Sequence, residues 1–323
     1  MTEKAKGLLD EAQLKEMEEH FVGLGARLTG NKAHNEMIDY ISQKMTELGY
    51  SVKTDEHKFL RWEPHDWALS YEDGERTNSV AREDISYYPY SGCTDENGVS
   101  GEMKFCGKLG VNTLFLGTKN KIAVIAMPIF EAGCGIVFKK RAVYPESFVP
   151  PTKQGSPVVA TFVIAPLLSL AKKAGAKAVI CVMNGCSDEL AKNQYLPFIK
   201  KFADIPALWV GETTGKKIVS AAKKHCKATL KLTADVEKDA VTRTIYAVLK
   251  GQSDKESILV NTHTDGTNAF EENAAMGLVS LAKYFAEKPL CERNKNIVFS
   301  FVTGHFQLHQ FGNPVNQATT KFL

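Results

Sequence analysis

Four polar side chains in the last quarter of the chain have the types that metal-dependent chemistry requires. His263 and Asp265 follow one apolar run, His305 follows a second, and Glu272 lies between them. Because the carboxyl ends of neighbouring strands in an open α/β sheet meet at one crevice, we expect these side chains to share a site. Open α/β sheets bind their ligands in this crevice, so it is the candidate functional site.

Two of these positions also have interpretations that need no metal. A histidine and an aspartate two residues apart at a strand end, as His263 and Asp265 are, can form a satisfied polar pair. Glu271 and Glu272 precede a predicted helix, where carboxylates cap free N–H groups and interact favourably with the helix dipole. Capping and metal bridging are equally supported for this pair of glutamates.

His305 and His309 have the i, i+4 spacing of a zinc-binding helix. No glutamate stands directly after the first histidine, as it does in the HExxH motif, and Gly312-Asn313-Pro314 ends any helix soon afterwards. A zinc helix is therefore the weaker interpretation of the spacing.

The overall composition excludes several classes of function. The chain has 323 residues, 44% of them hydrophobic and 24% charged, with a net charge of +3, which gives room for two domains and predicts no nucleic-acid partner. No apolar run reaches the roughly 20 residues of a membrane helix, and the N-terminus lacks an apolar signal-peptide core. The seven cysteines include no C-x-x-C pair. We therefore expect a cytoplasmic protein without a membrane partner.

The periodicity of apolar residues predicts the elements that position the candidate site. Helices are predicted over about residues 8–24, before Gly49, and after Asn273. A buried strand is predicted from Ser257 to Asn261. Residues 61–90 predict short strands and loops. His34 lies in the polar first turn of the second helix, where a surface or capping role is expected.

The middle of the chain is predicted to be mainly β-structure with little chemistry of its own. Residues 121–126 and 177–182 are runs typical of buried strands. One clear helix is predicted over Pro166–Ala176, with proline in its first turn. Cys181 lies within one of the apolar runs, so we expect a buried thiol there.

The order of these parts resembles peptidase family 28, the co-catalytic zinc aminopeptidases and glutamate carboxypeptidases. Arg27-Leu28-Thr29-Gly30-Asn31 resembles the opening of that family, and His263-Thr264-Asp265 resembles its first metal motif. The segments Ala174–Ile180 and Ile205-Pro206-Ala207 resemble a protease-associated domain. The resemblance covers nearly the whole chain.

The resemblance implies an α/β fold: a three-layer zinc-exopeptidase-like sheet with helices on both faces, plus an inserted β-rich domain. Residues 1–83 and 237–323 would form the peptidase-like domain, and residues 84–236 the protease-associated insert. The family's last two metal ligands lie beyond the equivalent of Leu323. We therefore expect an incomplete sheet, a truncated chain, and self-association through an unpaired sheet edge.

For the site, the resemblance implies two zinc ions bridged by a carboxylate and a water molecule. His263 would be a metal ligand, and Asp265 the catalytic carboxylate that orients it. Glu272 occupies the place of the bridging acid, usually an aspartate. His305 and Phe306 stand where the family has two glutamates, the general base and a ligand, so only His305 could bind zinc.

Two functions follow from this resemblance. One is a zinc metallopeptidase of aminopeptidase or carboxypeptidase type, impaired in this chain because the glutamate pair is replaced. The other is a non-catalytic module that binds peptides or proteins on a peptidase scaffold. Both imply a peptide as the binding partner.

Overall fold

The computed structural model describes residues 7–109, 115–133, 145–149, 151–191, 202–269, 273–307 and 310. These residues form the predicted mixed α/β fold. They group into two compact units, residues 1–61 with 236–323, and residues 62–235. The division into a peptidase-like domain and a protease-associated insert stays a prediction; residues 62–83, which it assigned to the first domain, group with the second unit.

The described helices are α1 (Glu11–Leu24), α2 (Lys32–Glu47), α3 (Pro157–Lys173), α4 (Asp188–Ala191), α5 (Glu212–Lys223) and α6 (Ala274–Ala286). The described strands are β1 (Val52–Asp73), β2 (Arg76–Ser79), β3 (Ile85–Tyr87), β4 (Val99–Lys108), β5 (Ile122–Pro128), β6 (Phe130–Gly133), β7 (Lys153–Ser156), β8 (Ala178–Asn184), β9 (Ala207–Val210), β10 (Lys227–Leu249), β11 (Ser253–His263) and β12 (Lys295–Val302). Short 3₁₀ turns cover Arg82–Asp84, Leu290–Glu292 and His305–Gln307. Among these helices, none combines the length and the apolar character needed to cross a membrane.

The sheet of the first unit is built around β12. β11 runs parallel to β12, with register from Ile258 opposite Ile297 to His263 opposite Val302. The C-terminal half of β10 pairs with the other side of β12 in the antiparallel direction. β11 has no second neighbour among the described strands, so it forms an edge of this sheet.

Three helices pack with this sheet in one hydrophobic core. Most of its buried side chains come from α1, α2, α6, β10 and β12, and Tyr50 and Ala269 add to them: Met17, Phe21, Met37, Ile38, Ile41, Met45, Ile245, Ala247, Ala275, Leu278, Val279, Ala282, Ile297, Phe299 and Phe301. The apolar spacing that predicted the helices therefore marks the faces that they bury.

Local capping explains where the first two helices begin and end. Asp10 and Gln13 form a capping box at the start of α1. The Asn31 side chain accepts a hydrogen bond from the N–H of His34 and caps α2. Gly49, just after α2, has φ +86°, the left-handed conformation predicted for it.

The second unit contains a mixed sheet. Its central strands β4, β5, β8 and β9 are parallel neighbours. The N-terminal part of β10 pairs antiparallel with β4, and β3 pairs antiparallel with β9. β5 and β8 are buried along nearly their whole length, as continuous apolar strands in parallel sheets are.

Two sequence predictions about secondary structure were wrong. Short strands and loops were predicted for residues 61–90, but they begin only after residue 73, because residues 52–73 form one strand of 22 residues. The buried aromatic residues of this strand fall on odd positions except Trp62, so they switch faces between Phe59 and Trp62 and again between Trp62 and Trp67. The alternation that indicates a strand is therefore interrupted. α3 begins at Pro157, and Pro166 lies inside it instead of in its first turn. The β-branched residues that precede Pro166 have low helix propensity and hid this first half.

Candidate functional site

The ends of β11 and β12 bring His263 and His305 together. His263 is the last residue of β11, and its partner in the parallel register, Val302, is the last residue of β12. Gly304, with φ +84°, then turns the chain. The two imidazole rings stack with centroids 4.0 Å apart and an angle of 19° between their planes. The structure therefore brings these two predicted site residues into contact.

The carboxylate of Asp265 is fully buried at the same place and accepts three hydrogen bonds. The Thr29 hydroxyl donates to Oδ2 at 2.6 Å. The backbone N–H of Phe306 donates to Oδ2, and that of His305 to Oδ1, each at 3.2 Å. Asp265 therefore ties the loop after β11 to the turn after β12 and to the segment before α2.

The pKa of Asp265 lies below its ordinary value because several favourable interactions overcome burial. Burial alone would raise this pKa, while His34 and His263, the Thr29 hydroxyl and the Phe306 N–H lower it. Since His34 is neutral at neutral pH, hydrogen bonds to the ionised carboxylate remain an important part of its stabilisation.

His263 is held by a main-chain oxygen. Its Nδ1 lies 2.7 Å from the carbonyl oxygen of Asp265, whereas the Asp265 carboxylate is 3.9 Å away. A carbonyl can only accept, so Nδ1 carries a proton, and in the neutral ring Nε2 keeps its lone pair. The side chain is 28% exposed. The carboxylate of Asp265 thus does not make the hydrogen bond that the resemblance implies for orienting the ring.

His34, which the sequence did not place in the site, contacts Thr264, the residue between His263 and Asp265. It is fully buried, so of the surface or capping role expected for it the surface role is wrong. The N–H of Gly30 donates to its Nδ1 at 2.9 Å, so Nε2 carries the proton and donates to Thr264 Oγ1 at 2.7 Å. The Thr264 hydroxyl in turn donates to the carbonyl oxygen of Val302. His34 therefore fixes the position of Thr264, between His263 and Asp265, through the hydrogen bond from its Nε2.

Burial lowers the pKa of His34 to about 4, although the nearby Asp265 carboxylate opposes that shift. The accepted hydrogen bond from Gly30 agrees with this, because a protonated Nδ1 could not accept it. No local pattern in the sequence places His34 in the site, because Thr264, the partner of its Nε2, lies 230 residues away.

Burial also lowers the pKa of His305 to about 4, and the neighbouring His263 lowers it further while Asp265 acts in the opposite direction. A general base works best when its pKa lies near the operating pH. A neutral imidazole with so low a pKa is a weak proton acceptor, so His305 is a poor substitute for a catalytic glutamate.

The described residues do not form a complete zinc cage. They contain no group of three or more His, Cys, Asp and Glu side chains that could hold a metal ion. His263 and His305 are adjacent, but both carboxylate oxygens of Asp265 already accept hydrogen bonds. Glu272 lies outside the described residues, as do Glu271 and His309.

Comparison with solved structures identifies the architecture. A peptidase M28 precursor from Shewanella amazonensis SB2B matches with a TM-score of 0.64 and 17% identity, covering 91% of this chain and 64% of that one. The aminopeptidase from Aneurinibacillus sp. strain AM-1 matches with a TM-score of 0.59 and 15% identity, covering 93% and 64%. A zinc aminopeptidase from Bacillus subtilis matches with a TM-score of 0.57 and 19% identity, covering 90% and 62%.

The chain has an aminopeptidase-like α/β fold. It spans less than two thirds of the length of each of these structures. No family model and no curated protein matches its sequence. At these identities the similarity concerns the fold, and activity has to be argued from the site.

Proposed function

We propose that this chain is a metallopeptidase homologue that binds peptides on an aminopeptidase-like scaffold without hydrolysing them. The observation that supports this most directly is the turn after β12. There the backbone N–H groups of His305 and Phe306 hold the buried carboxylate of Asp265. In peptidase family 28 this turn supplies two glutamates. Neither side chain here provides a carboxylate that could take a proton from water.

Phe306 adds to this argument. Its side chain is buried, 4% exposed, and its ring meets the ring of His263 edge-on at 6.1 Å. An apolar ring beside the candidate ligand supplies neither a metal ligand nor a base.

A second candidate is a zinc exopeptidase. It is favoured by the tautomer of His263, because Nδ1–H donates to a main-chain carbonyl and Nε2 is available to a metal. Ligating histidines in zinc sites are commonly oriented in this way. Zinc is part of this second candidate function only, because the described residues do not supply a complete set of zinc ligands.

The two candidates differ in turnover. We would measure zinc content after purification and then incubate the chain with Leu-Gly-Gly, with and without added zinc, following peptide and free leucine by NMR. We expect shifted peptide resonances and no release of leucine. Stoichiometric zinc with leucine release that a chelator stops would establish the exopeptidase instead.

The binding site is tested by His263→Ala. We expect this change to weaken Leu-Gly-Gly binding, because it removes one face of the stacked histidine pair. His20→Ala, which removes an exposed histidine of α1, is the matched control and should bind as the wild type does. Failure of the wild type to bind any peptide would also overturn the proposal.

Three further properties belong to the same proposal. Residues 84–236 are assigned as a protease-associated insert, on the resemblance of residues 174–180 and 205–207. The protein is placed in the cytoplasm on its sequence composition. Its expected partner is a peptide, with neither nucleic acid nor membrane as a partner.

A further inference from the structure

A groove in the second unit lies at the carboxyl ends of three parallel strands. It has a volume of about 370 Å³ and is lined by residues from β4, β5, β8 and α5. Such strand ends are the usual position of ligand sites in open α/β sheets. Its volume falls within the range of small-ligand sites.

The floor of the groove is apolar. Ala126 and Val182 are 5% and 1% exposed, and Phe105 is half-buried beside them. Val219 of α5 lines the opposite side. This floor would be covered favourably by an apolar side chain of a ligand.

The rim of the groove is positively charged. Lys108, Lys216 and Lys223 line it, and its described lining includes no aspartate or glutamate. Lys216 pairs with Glu212. In the part of the chain that the structure describes, no carboxylate forms an ion pair with Lys108 or Lys223. The Nζ of Lys223 lies 5.4 Å from the centroid of the Phe105 ring, which keeps this charge at the rim.

Close packing of α5 holds the groove in shape. Gly215 lies so near β8 that an added Cβ would be 2.2 Å from Val182 Cγ1. The start of α5 is fixed by Asp188, whose carboxylate accepts hydrogen bonds from the N–H and hydroxyl of Thr214. Residues on both sides of the groove are therefore positioned before any ligand arrives.

We infer that this groove binds a short acidic peptide segment, with an apolar side chain on the floor and carboxylates against Lys108, Lys216 and Lys223. The combination decides the ligand class: an apolar floor of this size disfavours a small inorganic anion, and a rim with three lysines disfavours a cationic peptide. The site rests on the second unit and not on the His263–His305 pair, so its failure would leave the proposed function standing.

The test is a calorimetric titration of the full chain with acetyl-Leu-Glu-Leu-Glu-amide. The matched neutral probe is acetyl-Leu-Gln-Leu-Gln-amide. We expect the acidic peptide to bind about tenfold more tightly at low salt, as two exposed ion pairs would provide, and to weaken as salt is added. Equal affinity for both peptides, or no binding of the acidic one, would overturn the inference.

The location is tested by the double variant Lys108→Ala/Lys223→Ala, which should lose most of the preference for the acidic peptide. Lys173→Ala, an exposed lysine of α3 outside the groove lining, should keep it. Both variants should melt as the wild type does. An unchanged preference in the double variant would place the binding elsewhere. Tighter binding of the oligonucleotide dT10 in competition with the peptide would reassign the groove to nucleic acid.

Discussion

A buried carboxylate is stable in a protein interior when it receives enough donors, and Asp265 receives three. These donors come from the segment before α2 and from the turn after β12, which are far apart in sequence. Asp265 therefore has a structural role that is independent of any metal. This role accounts for its complete burial and for the direction of its pKa shift.

We predict that Asp265→Asn destabilises the first unit by about 2–4 kcal/mol, because an amide nitrogen would face a donor in place of a carboxylate oxygen. Denaturant unfolding measures this change. Asp254→Asn removes an exposed carboxylate of the same unit, bonded to Lys250, and should change stability by less than about 1 kcal/mol. Equal effects of the two substitutions would contradict the role assigned to Asp265.

The buried His34 makes stability depend on pH. Burial lowers its pKa from 6.5 to about 4, so below pH ~6.5 the unfolded chain binds the proton more readily than the folded one. The contribution of neutral His34 is fully present above that pH and is lost as the pH falls towards 4.

From pH 7 to pH 5, wild type should lose about 2 kcal/mol of stability more than His34→Gln, whose side chain does not titrate. The measurement is the free energy of unfolding at each pH. His20→Gln, which removes an exposed histidine of α1, should keep the wild-type pH dependence. Parallel profiles for wild type and His34→Gln would show that His34 does not bind a proton on unfolding.

At this scale the sequence predicted part of what the structure brings together. His263, Asp265 and His305 lie close to one another as expected, because a residue's place at the end of an apolar strand run can be read directly. His34 was not found, because its burial depends on the Gly30 turn and on Thr264, which lies 230 residues away. Such long-range partners leave no local pattern in the chain.

At the scale of elements, single glycines decide how closely helices approach the sheets. Gly215 of α5 faces Val182 with no room for a Cβ, whereas nothing lies within 4 Å of the corresponding position at Gly277 of α6. Close packing of α5 therefore requires glycine at position 215, whereas α6 has room for a larger residue at position 277.

Gly215→Ala should destabilise the second unit by about 1–3 kcal/mol, because the added methyl group would push α5 away from β8. Gly277→Ala should stabilise the first unit by about 0.5–1 kcal/mol, since alanine is the better helix former and meets no neighbour. Denaturant unfolding of both variants provides the comparison. Stabilisation by both substitutions would contradict the close approach of α5 to β8.

The helices and strands were predicted best where one regular spacing of apolar residues continues along the whole element. The apolar stripes of α1, α2 and α6 and the runs of β5 and β8 are regular, and each element exists in the structure. β1 and α3 were mispredicted because Trp62 interrupts the alternation of one and Pro166 suggested a start for the other. In both cases tertiary packing overrides a local signal that normally marks a boundary.

At the scale of the whole molecule, the edge formed by β11 is the feature with the clearest consequence. Its described neighbour is β12 alone, and Ile258 within it is 48% exposed. An edge strand with exposed apolar residues is a template for pairing with another chain. This supports the proposal that the chain self-associates through β11.

We predict that the chain forms dimers or larger species at high concentration and that Ile258→Lys shifts them towards monomer. A charge on an edge strand disfavours pairing with a second copy, which is how natural edge strands are protected. Sedimentation velocity over a wide concentration range measures the species. Val22→Lys places the same charge at an exposed valine of α1, 62% exposed, and should associate as the wild type does. A wild type that stays monomeric throughout, or equal association of the wild type and Ile258→Lys, would show that β11 does not pair between copies.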